Sequence, residues 1–424
     1  MTAQLKTISS ASYRALTPET VGVYLAEQPG IAAKLGGNAA QWRAREVGDG
    51  NLNLVFIVEG AAEAVVVKQA LPYVRLVGES WPLPLSRAHF EHLALQEQSQ
   101  WAAAYVPKIY AHDDVMALTV MEYLAPHIIL RKGLVRGNEY PHMAEHLGKF
   151  LAQMLFHTSD LYLPAAVKKE KVAAYLANTA MCKISEDLIF DEPYFNAPMN
   201  RHTSPYLDSV AQSFKGDTEL KRAVQEMKWR FLNHAEALLH GDLHTGSVMV
   251  TETDTRSIDP EFAFYGPMGF DVGAILANLW MAFFAQPGHA SAGDDRNAYA
   301  TWILLQSETV WRVFAQEFTR LALERNANHP GGDVVHHRLS ADCAALKLKA
   351  LEDRLGTIWQ DSLGFAACKI IRRILGLAHI EDFEAIEDLA LRATCEQRAL
   401  TFARDVLLHR ERYADMSMVI KAIA

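Results

Sequence analysis

Apolar residues recur with two different periods along the chain, and the change between them divides it. Thr17-Pro18-Glu19 opens the first predicted helix. A threonine hydroxyl there can accept from exposed amides, and proline at the first helical position gives up no donor that the helix needs. Leu25 belongs to this helix, which is expected to stop near Pro29-Gly30. Two β-branched runs follow, Leu52 to Glu59 and Ala64 to Gln69, joined by Gly60-Ala61-Ala62-Glu63 as a hairpin connection. Ser86 to Trp101 reads as a helix, and Lys108 to His112 and Met116 to Glu122 as two more strands around Asp113-Asp114. Beyond Tyr123 the period lengthens: Met143, Leu147, Phe150, Leu151, Met154 and Leu155 fall on one helical face. Most of the remaining chain follows that pattern. The exception is a group of short strand-like pieces, Ala237 to His240, Ser247 to Thr251 and Arg256 to Asp259, around the turn Glu252 to Thr255. Gln286 to Asn297, rich in Gly, Ala, Ser and Asp, reads as a mobile loop. The expected class is α+β, with a small β-rich lobe over residues 1–123 and a large, mainly helical lobe over 124–424.

Composition narrows the partners. The 424 residues carry a net charge of −9 without any Lys/Arg-rich tract, which gives little attraction for a phosphate backbone and argues against nucleic acid. The apolar run Val272 to Phe284 is short for a bilayer and holds Asn278 in its middle, so it reads as a buried helix rather than a membrane span. Met1 to Tyr13 lacks the apolar core of a signal peptide. Cys182, Cys343, Cys368 and Cys395 form no CxxC pair or metal-ligand spacing and are expected reduced, in a cytoplasmic protein.

Candidate chemistry lies at six places. Gly48-Asp49-Gly50-Asn51-Leu52-Asn53 sits between strands, where small residues let backbone amides approach an anion; a plain β-turn is the alternative, and no Walker lysine follows. Lys68 closes the strand Val65-Val66-Val67-Lys68. It either reaches solvent or meets an anion together with a helix glutamate, for which Glu91 is the first choice and Glu97 the second. His240-Gly241-Asp242-Leu243-His244-Thr245-Gly246-Ser247 places an aspartate to accept a proton from a hydroxyl; a histidine metal site or a structural loop are the other readings. Ile258-Asp259-Pro260-Glu261 follows by one hairpin, and two near carboxylates suit a hard cation such as magnesium unless this is an ordinary acidic turn. Asp271, in Phe270-Asp271-Val272-Gly273, is expected to cap the following helix and brace the Asp242 loop. Lys369 with Arg372-Arg373 lies on a late helix. Neighbouring arginines diverge by about a quarter turn, so one can face inward while the other pairs at the surface with Glu381, Asp382 or Glu384.

Taken in order, these motifs resemble the protein-kinase-like fold in its aminoglycoside/choline kinase branch. Longer stretches are similar to the methylthioribose kinase family: Gly48 to Asn53, Val67 to Arg75, Gly78-Glu79-Ser80-Trp81-Pro82-Leu83, His240 to Ser247 and Asp259 to Asp271, with the likeness extending through Arg372-Arg373. The resemblance implies ATP and Mg2+ as cofactors, a small-molecule sugar as substrate and a homodimer. It implies Asp242 as base or orienter of the sugar's anomeric hydroxyl, Asp259 and Glu261 as magnesium ligands, and Lys68 on the nucleotide phosphates. Met121 to Leu124, which includes Glu122 and Tyr123, would border adenine. Arg372 or Arg373 would bind sugar or phosphate, and Trp81 would stand on a nearby loop. Where the wider fold has a metal-ligating Asn, this chain has Ser247, a poorer ligand. Rival readings are a kinase of the same fold acting on choline, homoserine or an aminoglycoside, and a non-catalytic nucleotide-binding regulator. The intact set of Lys68, Asp242, Asp259 and Glu261 opposes the regulator.

Overall fold

The computed structural model describes residues 12–48, 52–75, 78–324, 332 and 344–423. They fall into two compact units: one within Met1–Gln96 and Pro107–Leu124, the other within Glu97–Val106 and Ala125–Ala424.

In the first unit, Thr17 precedes the helix Pro18–Ala26 and its amide donates to Thr20 Oγ1 at 2.8 Å. Pro29-Gly30 does not simply end that helix. Pro29 opens a second one, Pro29–Leu35, because a ring that cannot continue a helix is well suited to begin one. The sheet comprises β1 (Arg43–Glu46), β2 (Asn53–Glu59), β3 (Ala64–Ala70), β6 (Ile109–Asp113) and β7 (Leu118–Glu122), antiparallel throughout in the order β1-β2-β3-β7-β6. Between β3 and the helix Arg87–Trp101, strands β4 (Tyr73–Val74) and β5 (Gly78–Pro82) form a separate ribbon. Trp81 therefore stands on a strand, not on the loop expected for it.

Two-residue alternation sorts the faces of β3. Val65, Val67 and Gln69 point into a core shared with Val21, Leu25, Leu35, Phe56, Val58, Leu118 and Val120. Each valine contributes about 1.5–3 kcal/mol by leaving water. Gln69 is wholly buried but satisfied: its Oε1 accepts from Leu16 N, and its Nε2 donates to Arg14 O and Met116 O. The same alternation turns Val66 and Lys68 to the opposite face.

The second unit is built on the helix Gly269–Ala285, buried at nearly every position and packed against the long helices Asn297–Glu324 and Ala344–Leu375. Helical structure here runs on to His289. Among the described residues this is the single helix long and apolar enough to cross a membrane, and it lies wholly inside the unit. The strand-like pieces are more dispersed than a single hairpin. β8 (Ile128–Ile129), β10 (Val248–Val250) and β11 (Thr255–Ser257) form one small sheet, while β9 (Ala237–Leu238) pairs with β12 (Tyr265–Gly266). The segment after the buried helix, read as mobile, is tied down. Gln286–His289 forms a 3₁₀ turn, Ser291 bridges to Asp294, and a His289 ring nitrogen lies 2.9 Å from Asp382 O. Cys182, Cys368 and Cys395 are free thiols; Cys343 lies outside the described residues.

Candidate active site

The loop His240 to Ser247 leaves β9 and is held from four directions. Asp271 receives the first two amides: His240 N donates to Oδ2 at 2.6 Å and Gly241 N to Oδ1 at 3.1 Å. Asp271 is the third residue of its helix and places no cap on it; the whole carboxylate braces the loop. Gly241 has φ +83°, and a methyl on it would lie 2.1 Å from Phe262 O, so no other residue fits. The His240 ring is buried, which pushes its pKa down and keeps it neutral. Its Nε2–H donates to Ile258 O at 2.9 Å, leaving Nδ1 to accept from Asp242 N at 3.3 Å. Ser247 Oγ accepts from His244 N and donates to Asp242 O, both at 2.9 Å, so the hydroxyl that stands where the wider fold has a metal-ligating Asn is engaged in closing the loop.

These restraints present Asp242 to a cluster of donors. His244 Nδ1 accepts from Gly246 N at 3.0 Å, which leaves the ring proton on Nε2, 3.3 Å from Asp242 Oδ2. Burial pushes the pKa of His244 down to about 4, so it acts as a neutral donor. Lys369 Nζ stands 3.8 Å and Arg372 Nη1 3.9 Å from Asp242 Oδ1, both carried by the helix Ala344–Leu375. Burial alone would raise the Asp242 carboxyl; the His244, Lys369 and Arg372 groups outweigh it and hold the pKa well below the ordinary carboxylate range. Such a carboxylate is a weak proton acceptor and a strong hydrogen-bond acceptor. It can orient a hydroxyl better than it can remove its proton.

The arginine pair diverges as the helical period requires. Arg372 is 8% exposed and faces Asp242, while Arg373 Nη1 donates to Ala378 O at 3.3 Å. Neither makes the surface pairs weighed above: Glu384 pairs with Arg201, His379 and Arg392, and Asp382 with Arg131. Arg131 was not singled out in the sequence. It lies on the helix Leu130–Arg136, donates to Asn278 Oδ1 at 3.1 Å and Thr245 Oγ1 at 3.2 Å, and so ties the end of the loop to the buried helix. Its signal was a charge directly after the apolar Ile128-Ile129-Leu130, paired in kind with the lone polar Asn278 of the apolar run.

Asp259 has φ +70°, a left-handed backbone that a non-glycine residue adopts only when its surroundings require it. Its carboxylate oxygens come within 4.8 Å of those of Glu261, which is 2% exposed. Asn178 Nδ2 fixes this turn by donating to Glu261 O at 3.1 Å and Ala263 O at 3.0 Å. Two converging carboxylates supply the all-oxygen donor set that magnesium prefers, so these residues fit that ion.

In the first unit, Lys68 Nζ pairs with Glu91 Oε1 at 2.8 Å, with side chains 10% and 4% exposed. Glu97 pairs with Lys171 instead. Gly48 begins the turn after Val47 N has donated to Val55 O at 2.8 Å. Asn53 is fixed by the fully buried Arg87, which donates to Asn53 Oδ1 at 3.0 Å, Leu52 O at 2.8 Å and Leu71 O at 2.6 Å. Asp49, Gly50 and Asn51 lie outside the described residues. Glu122 closes β7, its Oε2 accepting from Lys108 N at 3.1 Å. Tyr123 OH lies 3.4 Å from Arg45 Nη2, and Leu124 is buried.

Comparison with known proteins identifies the family. The model of the Phosphotransferase enzyme family matches residues 43–304. Methylthioribose kinase 1 of Oryza sativa subsp. japonica is 46% identical over 409 residues, 96% of this chain and 94% of its own length. Methylthioribose kinase of Escherichia coli O45:K1 is 44% identical over 413 residues, covering 97% and 98%. The Yersinia pseudotuberculosis enzyme of serotype O:1b is 42% identical over 382 residues, 90% of each. A loop built around Asp242, the carboxylates of Asp259 and Glu261, and likeness along almost the full length of these relatives together place the chain in the methylthioribose kinase family of small-molecule phosphotransferases.

Proposed function

We propose that the protein transfers the γ-phosphoryl group of ATP to the anomeric hydroxyl of 5-methylthioribose, giving 5-methylthioribose 1-phosphate and ADP for methionine salvage. The observation that carries this reading is the electrostatics of Asp242, a half-buried carboxylate kept ionised by His244, Lys369 and Arg372.

Phosphoryl transfer depends on positioning and charge neutralisation more than on covalent chemistry. Asp242 would accept a hydrogen bond from the attacking hydroxyl and hold its oxygen lone pair toward the phosphorus. As the new O–P bond forms and the bond from phosphorus to the ADP oxygen breaks, the hydroxyl becomes far more acidic, and its proton would pass to Asp242 and on to solvent. Lys369 and Arg372, with Arg373 behind them, would stabilise negative charge arriving on the sugar side; a guanidinium does so with two parallel N–H groups. Asp259 and Glu261 would hold Mg2+, which when bound neutralises charge on the nucleotide phosphates. Lys68, oriented by Glu91, would contact those phosphates, with the amides from Gly48 to Asn53 assisting. Glu122, Tyr123 and Leu124 would border the adenine, and Trp81 the substrate. Ser247 would act by keeping Asp242 in place. The same reading makes the protein a cytoplasmic homodimer, which light scattering on the purified protein would check.

Phosphorus NMR of a reaction with ATP, Mg2+ and 5-methylthioribose tests the proposal. A sugar 1-phosphate resonance is expected, and Asp242→Asn should slow its appearance on the order of 10²–10⁴-fold with nucleotide binding retained. Brisk ADP formation with choline or homoserine but no phosphorylated methylthioribose would defeat the substrate assignment. Near-normal turnover by Asp242→Asn would defeat the role of that residue.

A further inference from the structure

Away from the candidate active site, three metal-ligating side chains converge in the first unit. His89 Nδ1 and His112 Nε2 lie against the same oxygen, Asp114 Oδ1, at 2.9 and 3.0 Å. Donor atoms of all three residues fall within 4.8 Å of one another. Each comes from a different piece of structure: His89 from the helix Arg87–Trp101, His112 from the edge strand β6, and Asp114 from the turn into β7. We propose that His89, His112 and Asp114 bind one divalent transition-metal ion of the zinc class, clipping the helix that carries Glu91 to the edge hairpin of the sheet.

The donor set selects the ion. Two imidazoles with one carboxylate suit zinc and its neighbours, whereas magnesium takes oxygen ligands and would gain little here. The geometry is close to what such an ion requires. Donors bound at about 2.0–2.2 Å around a tetrahedral centre stand roughly 3.3–3.5 Å apart. Contacts of 2.9 and 3.0 Å to Asp114 therefore need to open by only a few tenths of an ångström, while the two histidine nitrogens already lie within 4.8 Å of each other. Three protein ligands would leave one position for water.

Two further contacts prepare His112 as a ligand. Its Nδ1 lies 3.0 Å from Thr119 Oγ1, directly across the ladder from it. Metal-bound histidines are commonly held by donation of the second ring N–H in this way, which leaves the Nε2 lone pair for the ion. The His92 ring lies flat on the His112 ring, centroids 4.0 Å apart and planes 3° from parallel, and fixes the ring plane. His112 is thus an ordered anchor, with its side chain 8% exposed, while His89 and Asp114, at 44% and 64%, leave the ion a way in from solvent.

The full-length protein, stripped with chelator and kept free of magnesium and nucleotide, is titrated with Zn2+ by calorimetry and with Co2+ by visible absorption. One equivalent of saturable binding is expected, with ligand-field bands for low-coordinate cobalt. His89→Ala and Asp114→Asn alter exposed side chains and should each weaken it about tenfold or more. His112→Ala should abolish it, with the fold checked by circular dichroism. Asp259→Asn, in the other carboxylate pair, should leave the titration unchanged. Absence of saturable binding, or stoichiometric binding that survives both His89→Ala and Asp114→Asn, would overturn the site. Because no substrate enters these titrations, their outcome is independent of the kinase assays.

Discussion

Replacing Lys369 by methionine should make the fold more stable and the enzyme slower. Lys369 is 4% exposed, and its ammonium lies 3.8 Å from Asp242 and 4.0 Å from the centre of the Phe270 ring. Burial lowers its pKa from 10.5 to about 8, and the nearby Asp242 charge only partly offsets this. At about 1.4 kcal/mol per pH unit, holding that proton costs the native state roughly 3 kcal/mol at neutral pH. The sign follows from proton counting. Between about pH 8 and 10.5 the unfolded chain still binds the lysine proton and the folded chain has released it, so this group makes stability rise with pH across that window. Methionine matches the stem in length and carries no charge. It should therefore stabilise the protein at pH 7 by on the order of 1–3 kcal/mol, the lower figure allowing for relaxation around the native lysine. The catalytic loss comes from the same charge. At an effective dielectric of about 20, two unit charges 3.8 Å apart interact by roughly 4 kcal/mol. Arg372 and Arg373 retain part of that effect, so a fall in turnover of about 10- to 100-fold is expected. Urea melts at pH 7 and pH 9.5, with ADP release followed from pH 6 to 10, would measure both. Wild-type turnover should decline above about pH 8 as the lysine deprotonates, and the variant should lack that limb. A variant that is less stable and fully active, or one that keeps the alkaline limb, would refute this account.

Arg372→Lys should reduce turnover more than Arg373→Lys, because Arg372 faces Asp242 while Arg373 spends a donor on Ala378 O; equal losses would show that both reach the substrate. Asp259→Asn and Glu261→Gln should each raise the magnesium concentration needed for half-maximal rate, and unchanged titration curves in both would remove the metal assignment. Asn is the better probe at 259 because it tolerates the left-handed backbone found there. Asp271→Ala strands two buried amides, at about 1–3 kcal/mol each, and should lower unfolding stability by roughly 2–5 kcal/mol. A loss under about 1 kcal/mol would mean that water replaces the carboxylate.

Local chemistry was the most readable part of the sequence. A lysine one residue beyond the buried-face Val67 must leave the core side of its strand, and the nearest helix offered Glu91 one turn into its length; the two are paired. A loop with Gly before Asp and hydroxyls after it could be read as compact, and Ser247 and Gly241 show how. What escaped were features set by packing between distant segments. Arg131, Asn278 and Asp382 lie far apart in sequence and come together only because three helices pack against one another, so no spacing announces them. Pro29 reads as a stop because proline punctuates in both directions, and the strand β1, only four residues long with three of them charged, has no β-branched residue to mark it. Trp81 carried too little period around it, with prolines at 82 and 84, to be seen as a strand.

Gly269 and Gly273 have a role that extends to Asp242. A methyl on Gly273 would lie 2.4 Å from Ser362 O, and one on Gly269 would lie 2.6 Å from Asp361 Cβ. The two long helices therefore touch backbone to backbone along one seam. One of them carries Asp271, which sets the loop; the other carries Lys369 and Arg372, which set the charge around it. The glycines act as a gauge block, fixing the separation from which the loop and its cations are both measured. Gly273→Ala would lever the helices apart and open the distances from Asp242 to Lys369 and Arg372 together, without altering a single polar group. A kinetic defect would then arise from one added methyl group, and because the atoms it meets, Ser362 O and Ala366 N, belong to the backbone, no side-chain truncation on the facing helix would relieve it.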